Sequence, residues 1–330
     1  MTPRPLGANG PAVFPIALGC MGMSGMYGAA DETESIATIH AALDTGINLI
    51  DTGDFYGSGH NEMLIGRALK GRRYQALLSV KFGALRTPGG GWTGVDGRPV
   101  AVKNFAAYSL ARLGVDHIDV YRLSRLDPTV PIEDTLGAIA DLVREGYVRY
   151  IGLSEVGPDT IRRAAAAHPI SDLQIEYSLV SRGPETAIFP ALRELGISAT
   201  VYGVLSRGLL SSSVPSANDF RAHLPRFSGA NYERNRKLVQ KLGDAAKDKG
   251  VTAAQLAIAW VLAQGGFIIP VLGSRTRAQL KEALDALSIE LTPADLATLQ
   301  QAIPPEAVAG TRYDARQMAM LDSEKSNPRQ

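Results

Sequence analysis

Cysteine is nearly missing from this 330-residue chain: Cys20 is the single one. That excludes an internal disulfide and any cysteine-based metal site, and it makes a reducing, cytoplasmic setting the expected one. An excess of charge of either sign is also missing, since 34 Lys+Arg face 33 Asp+Glu for a net +1. Nucleic acids and anionic membranes select a clear basic surplus, so neither is an expected partner. No stretch approaches the ~18 uninterrupted apolar residues of a membrane span, and the apolar segment 12–18 is broken by Pro15 before it can act as a signal core. The Gly-x-Gly-x-x-Gly dinucleotide fingerprint is absent too: Gly19, Gly22, Gly25 and Gly28 fall three apart. What remains is an ordinary globular composition, 45% hydrophobic and 20% charged, in a chain long enough to bury a large core.

The pattern that is present is alternation. Short apolar, β-branched runs are expected as strands at 14–18, 48–51, 76–81, 118–123, 148–153, 172–176, 198–202 and 267–272. Between them lie helical periodicities at 31–45, 61–69, 102–113, 132–145, 159–167, 185–195, 232–249, 253–264 and 277–287, with a last helix at 293–302. Asp31 with Glu34 three residues on reads as a helix start, and Gly46, Gly146 and Gly196 read as helix ends. Strands separated by helices pair in parallel through crossovers. Eight such units in this length predict a closed α/β (β/α)8 TIM barrel in a single domain, residues 1–310, followed by a polar C-terminal tail, 311–330, frayed from Asp322 onward.

In such a barrel chemistry sits at the C-terminal strand ends. Asp51 and Lys81 each end an apolar run, and Tyr56 follows in the loop Asp51-Thr-Gly-Asp-Phe-Tyr56. A strand-end Lys–Asp pair by itself reads as a structural ion pair just as well as a catalytic one, and a lone tyrosine as a packing residue. Together they predict a Tyr–Lys–Asp relay, in which the ammonium lowers the phenol pKa and the phenol protonates a carbonyl oxygen. Gly273-Ser274-Arg275, a strand end before a helix, has the makings of a phosphate cradle.

These residues lie in motifs that closely resemble the aldo-keto reductases. They are Leu49-Ile50-Asp51-Thr52, Tyr56-Gly57, Glu62-Met63-Leu64-Ile65-Gly66-Arg67-Ala68-Leu69, Ser79-Val80-Lys81-Phe82, Gly152-Leu153-Ser154, Gln174-Ile175-Glu176-Tyr177, Ser206-Arg207-Gly208-Leu209-Leu210 and Pro270-Val271-Leu272-Gly273-Ser274-Arg275. The resemblance runs over about residues 5–305. It implies NADPH (NADP+) held across the barrel mouth and hydride transfer to a small-molecule aldehyde or ketone, in a monomer or small homo-oligomer. By the match, Asp51, Tyr56 and Lys81 fall on three of four catalytic positions. Ser154 and Gln174 fall on the carboxamide contacts and Tyr202 on the ring that stacks against nicotinamide. Gly22, Met23, Gly203, Leu205, Arg207 and Gly208 lie along the cofactor, with Ser274 and Arg275 at the 2′-phosphate and Gln279 and Glu282 near ribose and adenine. Met23, Met26, Tyr27, Phe82, Trp92 and Arg125 are expected to line the substrate space with Tyr56, and no metal site is expected.

The sequence departs from the pattern at several points. The fourth catalytic position, usually His, holds Ser124, with Arg125 beside it; a serine hydroxyl is shorter and carries no charge. Glu155 replaces the Asn after the carboxamide serine, and Ala283 the Asn after the adenine-side Glu. A nicotinamide-sensing regulatory or partner-binding subunit on the same barrel, like the channel β-subunits, is the second expectation, because those subunits keep Asp51, Tyr56 and Lys81 equivalents.

Overall fold

A computed structural model describes residues 2–211 and 219–325. Eight parallel strands close on themselves: β1 (Ala17–Gly19), β2 (Leu49–Gly53), β3 (Leu77–Phe82), β4 (Ile118–Leu123), β5 (Val148–Ser154), β6 (Ile170–Glu176), β7 (Ser198–Tyr202) and β8 (Ile268–Gly273). Each pairs with the next, and β8 pairs with β1 through Leu272↔Leu18. The molecule is therefore a single-domain (β/α)8 barrel, as the alternation predicts.

Helices cover the outside for local reasons. Asp31 accepts the Glu34 N–H at 2.7 Å and starts α1 (Glu32–Asp44), which ends before Gly46 at φ 94°. Proline occupies the first turn of α3 (Pro99–Leu113) and α5 (Pro158–Ala167), where its missing N–H costs nothing. The apolar stripe of α4 (Ile132–Arg144) buries Ile132, Leu136 and Ile139 in the main core with strand residues such as Val80 and Tyr121.

Two sequence expectations are corrected. The first run, 14–18, joins the barrel only from Ala17, because Pro15 has no N–H to give a ladder. Val13 instead pairs with Arg4 in a short hairpin, and Leu6, Val13, Leu49, Val120 and Ile269 form a separate apolar cluster. The C-terminal segment is also not frayed through residue 325. It returns to the mouth, forms a short helix, Ala315–Ala319, and buries Met318 and Leu321. Asp322 accepts the Gly157 N–H at 2.9 Å and the Thr160 hydroxyl at 2.7 Å, capping the α5 start where Gly157 has no side chain. The rest of the expected tail, 326–330, lies outside the described residues.

Candidate active site

The β2–β3 register sets Gly53 opposite Lys81, one turn of pleat beyond Asp51, so both charges project at the mouth. Lys81 Nζ reaches Asp51 Oδ1 at 2.5 Å, and both side chains are about 6% exposed. Asp51 Oδ2 is shared by the Ser79 hydroxyl at 2.9 Å and Gln174 Nε2 at 2.7 Å. A buried pair held by two further donors is a fixed element of the site.

Tyr56 lies over this pair, with the Lys81 ammonium 5.2 Å from its ring centroid. Its loop is tight: Gly57 and Ser58 both have left-handed φ, at 56° and 53°. Phe55 meets the Tyr56 ring edge-on at 4.8 Å and Trp92 at 6.4 Å, linking the loop to the hairpin of Ala84–Arg86 and Trp92–Val95. Phe55 had no periodic signal that singled it out. The expected lowering of the Tyr56 pKa is not what the structure gives. Burial pushes the phenol well above its ordinary value, and the Asp51 carboxylate adds to the rise, with Arg125 opposing it. Lys81 is paired with Asp51, and its ammonium does not overcome the effect of burial on the phenol. Burial pulls Lys81 below its usual pKa, and Asp51 opposes the fall.

In the same loop, Asp54 has one carboxylate oxygen on the Gly83 N–H at 3.3 Å and the other without a partner. Burial raises its pKa to about 7, with Glu62 adding to the effect. A carboxyl whose folded pKa lies above its unfolded one stabilises fully below the unfolded value, near 4, and that contribution is lost as pH rises to about 7. Asp54→Asn is expected to raise stability by about 1–3 kcal/mol at pH 8 and by little at pH 4. Melting curves at the two pH values check this; an equal shift at both would refute it.

The expected cofactor residues are brought to one rim. Gln174 and Ser154 are register partners on β6 and β5; the Ser154 hydroxyl is buried with no hydrogen-bond partner, as is that of Ser124. Tyr202 ends β7, opposite Glu176. Gly203 has φ 67°, and a Cβ there would stand 2.9 Å from Glu176 Cγ, so the turn requires glycine. Leu205 packs against the core, and Gly208 follows the strained pair Ser206 and Arg207. Arg207 pairs with Glu176 at 2.9 Å. Arg275 lies against Gly22, where a Cβ would be 3.1 Å from its Cγ, and donates to the Tyr27 carbonyl at 3.0 Å. Gln279 accepts the Arg275 backbone N–H at 2.8 Å, and Ser274 is buried after Gly273. Glu282 instead accepts from Thr252 at 2.8 Å on the neighbouring helix Ala253–Leu262, whose N-cap Thr252 is.

Of the expected substrate-lining residues, Met26, Tyr27, Trp92 and Arg125 are half-buried near the mouth. Met23 and Phe82 are not available to a substrate. Both side chains are fully buried, and Phe82 stacks on Tyr121 at 4.2 Å and meets Phe105 of α3, so it faces the barrel–helix layer. Glu155, which stands where the usual pattern has Asn, is committed to the protein's own groups. It sits at φ 53°, a conformation an Asn adopts more easily, and is fully buried. Its carboxylate takes Arg312 through two nitrogens at 2.9 and 2.5 Å, the Tyr202 hydroxyl at 2.8 Å and the Ser323 hydroxyl at 2.8 Å. Burial acts to raise its pKa, but Arg312, Arg125 and the Tyr202 hydroxyl together outweigh burial and hold it far below the carboxylate range. Arg312 and Tyr313, whose hydroxyl is 3.1 Å from that of Tyr202, come to the candidate site from the segment expected as a polar tail.

Among the described residues no group of His, Cys, Asp and Glu is arranged to hold a metal ion, and no helix is long and apolar enough to cross a membrane.

Known proteins are similar to this chain in sequence and fold. The sequence profile of the Aldo/keto reductase family matches residues 15–304. The chain is 41% identical over 318 residues to "Probable aldo-keto reductase 1" of Glycine max, covering 94% of this chain and 91% of that protein. Its fold is similar to the glycerol dehydrogenase AKR11B4 of Gluconobacter oxydans, with TM-score 0.82, 28% identity, and 92% and 96% of the two chains covered. It is also similar to the aldo-keto reductase AKR11C1 of Bacillus halodurans in its holo form, with TM-score 0.78, 30% identity, and 92% and 97% covered. A barrel whose second and third strands end in a buried Asp–Lys pair beneath a tyrosine, and which matches these proteins nearly end to end, belongs to the aldo/keto reductase family, oxidoreductases that act on carbonyl and alcohol groups.

Proposed function

We propose that this chain reduces an aldehyde or ketone to an alcohol with NADPH, Tyr56 giving the proton. The observation that carries the reading is the buried Asp51–Lys81 pair beneath the Tyr56 ring, beside two buried hydroxyls, Ser124 and Ser154, that have no partner of their own. The donor set suits a nicotinamide: the Ser154 hydroxyl is uncommitted, and Gln174 spends its N–H on Asp51 and keeps its oxygen for an amide donor. Arg275, with the Ser274 hydroxyl beside it, would take the terminal phosphate, and the bare Gly22 backbone allows close approach there. When bound, the reduced nicotinamide supplies a hydride to the carbonyl carbon.

The chain's own residues then handle the oxygen. Tyr56 stays protonated at neutral pH because burial raises its pKa. It becomes a competent acid only as alkoxide character develops, since an alkoxide is far more basic than a phenolate. The Lys81 ammonium stabilises the charge left on the phenol, and Asp51 holds that ammonium in place. Ser124 offers one hydrogen bond where an imidazole is usual.

Purified protein mixed with NADPH and a panel of aldehydes and ketones is expected to consume the reduced nicotinamide with at least one of them. NADPH binding without any turnover would favour the regulatory-subunit reading instead, and no binding at all would remove both.

A further inference from the structure

The ion pairs at the mouth are nearly complete; the exceptions are Arg275, which matches the 2′-phosphate position and donates to the Tyr27 and Ala29 carbonyls, and Arg125. Lys81 has Asp51, while Arg312, Arg207 and Arg226 share Glu155, Glu176 and Glu324 at 2.5 to 3.7 Å. Among the described residues Arg125 has no carboxylate within 4.0 Å. Its Nη1 donates to the Ser124 carbonyl at 2.6 Å, and its Nη2 meets only the Tyr313 hydroxyl, at 3.5 Å.

This guanidinium is nevertheless in the reacting region. It follows β4 directly after Ser124, whose N–H bonds the Phe82 carbonyl next to Lys81. Its charge acts on both the Tyr56 phenol and the Lys81 ammonium. Burial pulls its own pKa down, but the Tyr202 and Tyr313 phenols and Glu155 outweigh burial, so it is charged at any working pH. A half-buried cation with no carboxylate in contact, whose charge acts on both Tyr56 and Lys81, selects for an anion there. The phosphates of a dinucleotide do not meet that need, because their matching residues, Arg207, Ser274 and Arg275, follow β7 and β8 across the barrel. A single uncompensated charge on a planar fork fits a carboxylate.

We propose that Arg125 binds a carboxylate on the substrate, so that the preferred substrates are aldehydes or ketones that carry an acid group. This rests on the carbonyl-reducing reading above. The test uses 4-oxobutanoate and 4-carboxybenzaldehyde, each beside its methyl ester, with wild type, Arg125→Gln and Arg125→Lys. Wild type is expected to favour at least one acid over its ester by about 10- to 100-fold in kcat/KM, the range of a charge-assisted hydrogen bond. Arg125→Gln should collapse that ratio, mainly through KM, and Arg125→Lys should recover part of it. The wild-type ratio decides even where a variant folds poorly. Equal use of acids and esters by wild type, or a loss in Arg125→Gln of the same factor for both, overturns the assignment while leaving carbonyl reduction standing. Reduction of neither kind of aldehyde would take down carbonyl reduction and this assignment together.

Discussion

Tyr56→Phe is expected to lower kcat by about 10²- to 10⁴-fold, the usual contribution of a positioned general acid, while NADPH still binds. The substitution removes one hydroxyl and keeps the ring that sits on Phe55 and over Lys81. The change therefore reads out proton donation with little effect on packing. Its pH dependence separates two versions of the mechanism. If Lys81 brought the phenol pKa down toward neutrality, wild-type kcat would fall as pH rose through 7 to 8, because the acid would already have lost its proton. The structure points the other way: burial, with Asp51, holds Tyr56 above its ordinary value. Wild-type kcat should therefore carry no alkaline limb from Tyr56 below about pH 10, the ordinary phenol value. Single-turnover rates in the variant matching wild type would remove Tyr56 as the donor, and a wild-type limb near neutrality would restore the ammonium-tuned phenol.

The barrel was legible in the chain because its cause is local. Each apolar run and each helical stripe reports its own element, and eight such pairs leave one closed arrangement. Asp51 and Lys81 were legible for a related reason, since a charge ending an apolar strand marks the mouth. Orientation within the rim was not. Met23 and Phe82 sit in the right segments, yet both side chains are buried, and that of Phe82 turns into the helix layer to pack against Tyr121. Non-local pairing was the other blind spot. Arg122 within β4 meets Asp172 and Thr200 from β6 and β7 inside the barrel, and in sequence it is one of two charged residues, with Asp119, in the strand run 118–123. Arg312 looks like part of a polar tail until Glu155, 157 residues earlier, supplies its partner.

That distant pair carries the largest stability effect expected here. Arg312 is 6% exposed, and it faces two carboxylates, Glu155 and Glu176, that are wholly buried. It also ties the returning segment through Glu324 at 2.7 Å and the Ser323 hydroxyl at 3.2 Å. Replacing it with leucine strands buried negative charge, a change that costs about 3–5 kcal/mol when one partner of a buried pair is removed. The pH dependence has a defined sign. The folded Glu155 pKa is depressed because Arg312, with Arg125 and the Tyr202 hydroxyl, outweighs burial, so the contribution is present above the unfolded value, near 4.3, and lost as pH falls below it. The deficit of Arg312→Leu should thus be greatest near pH 7 and shrink toward pH 4, as protonation relieves the stranded carboxylates. Adding Glu155→Gln should recover part of the loss, because a neutral amide replaces the unpaired charge and the double-mutant cycle isolates the coupling. Tyr202, which shares Glu155 with Arg312, should loosen with it, so cofactor affinity should weaken in Arg312→Leu and return in part with Glu155→Gln. Thermal melts with strictly additive effects of the two substitutions would show that the returning segment is held by its apolar contacts, Met318 and Leu321, and not by this ion pair.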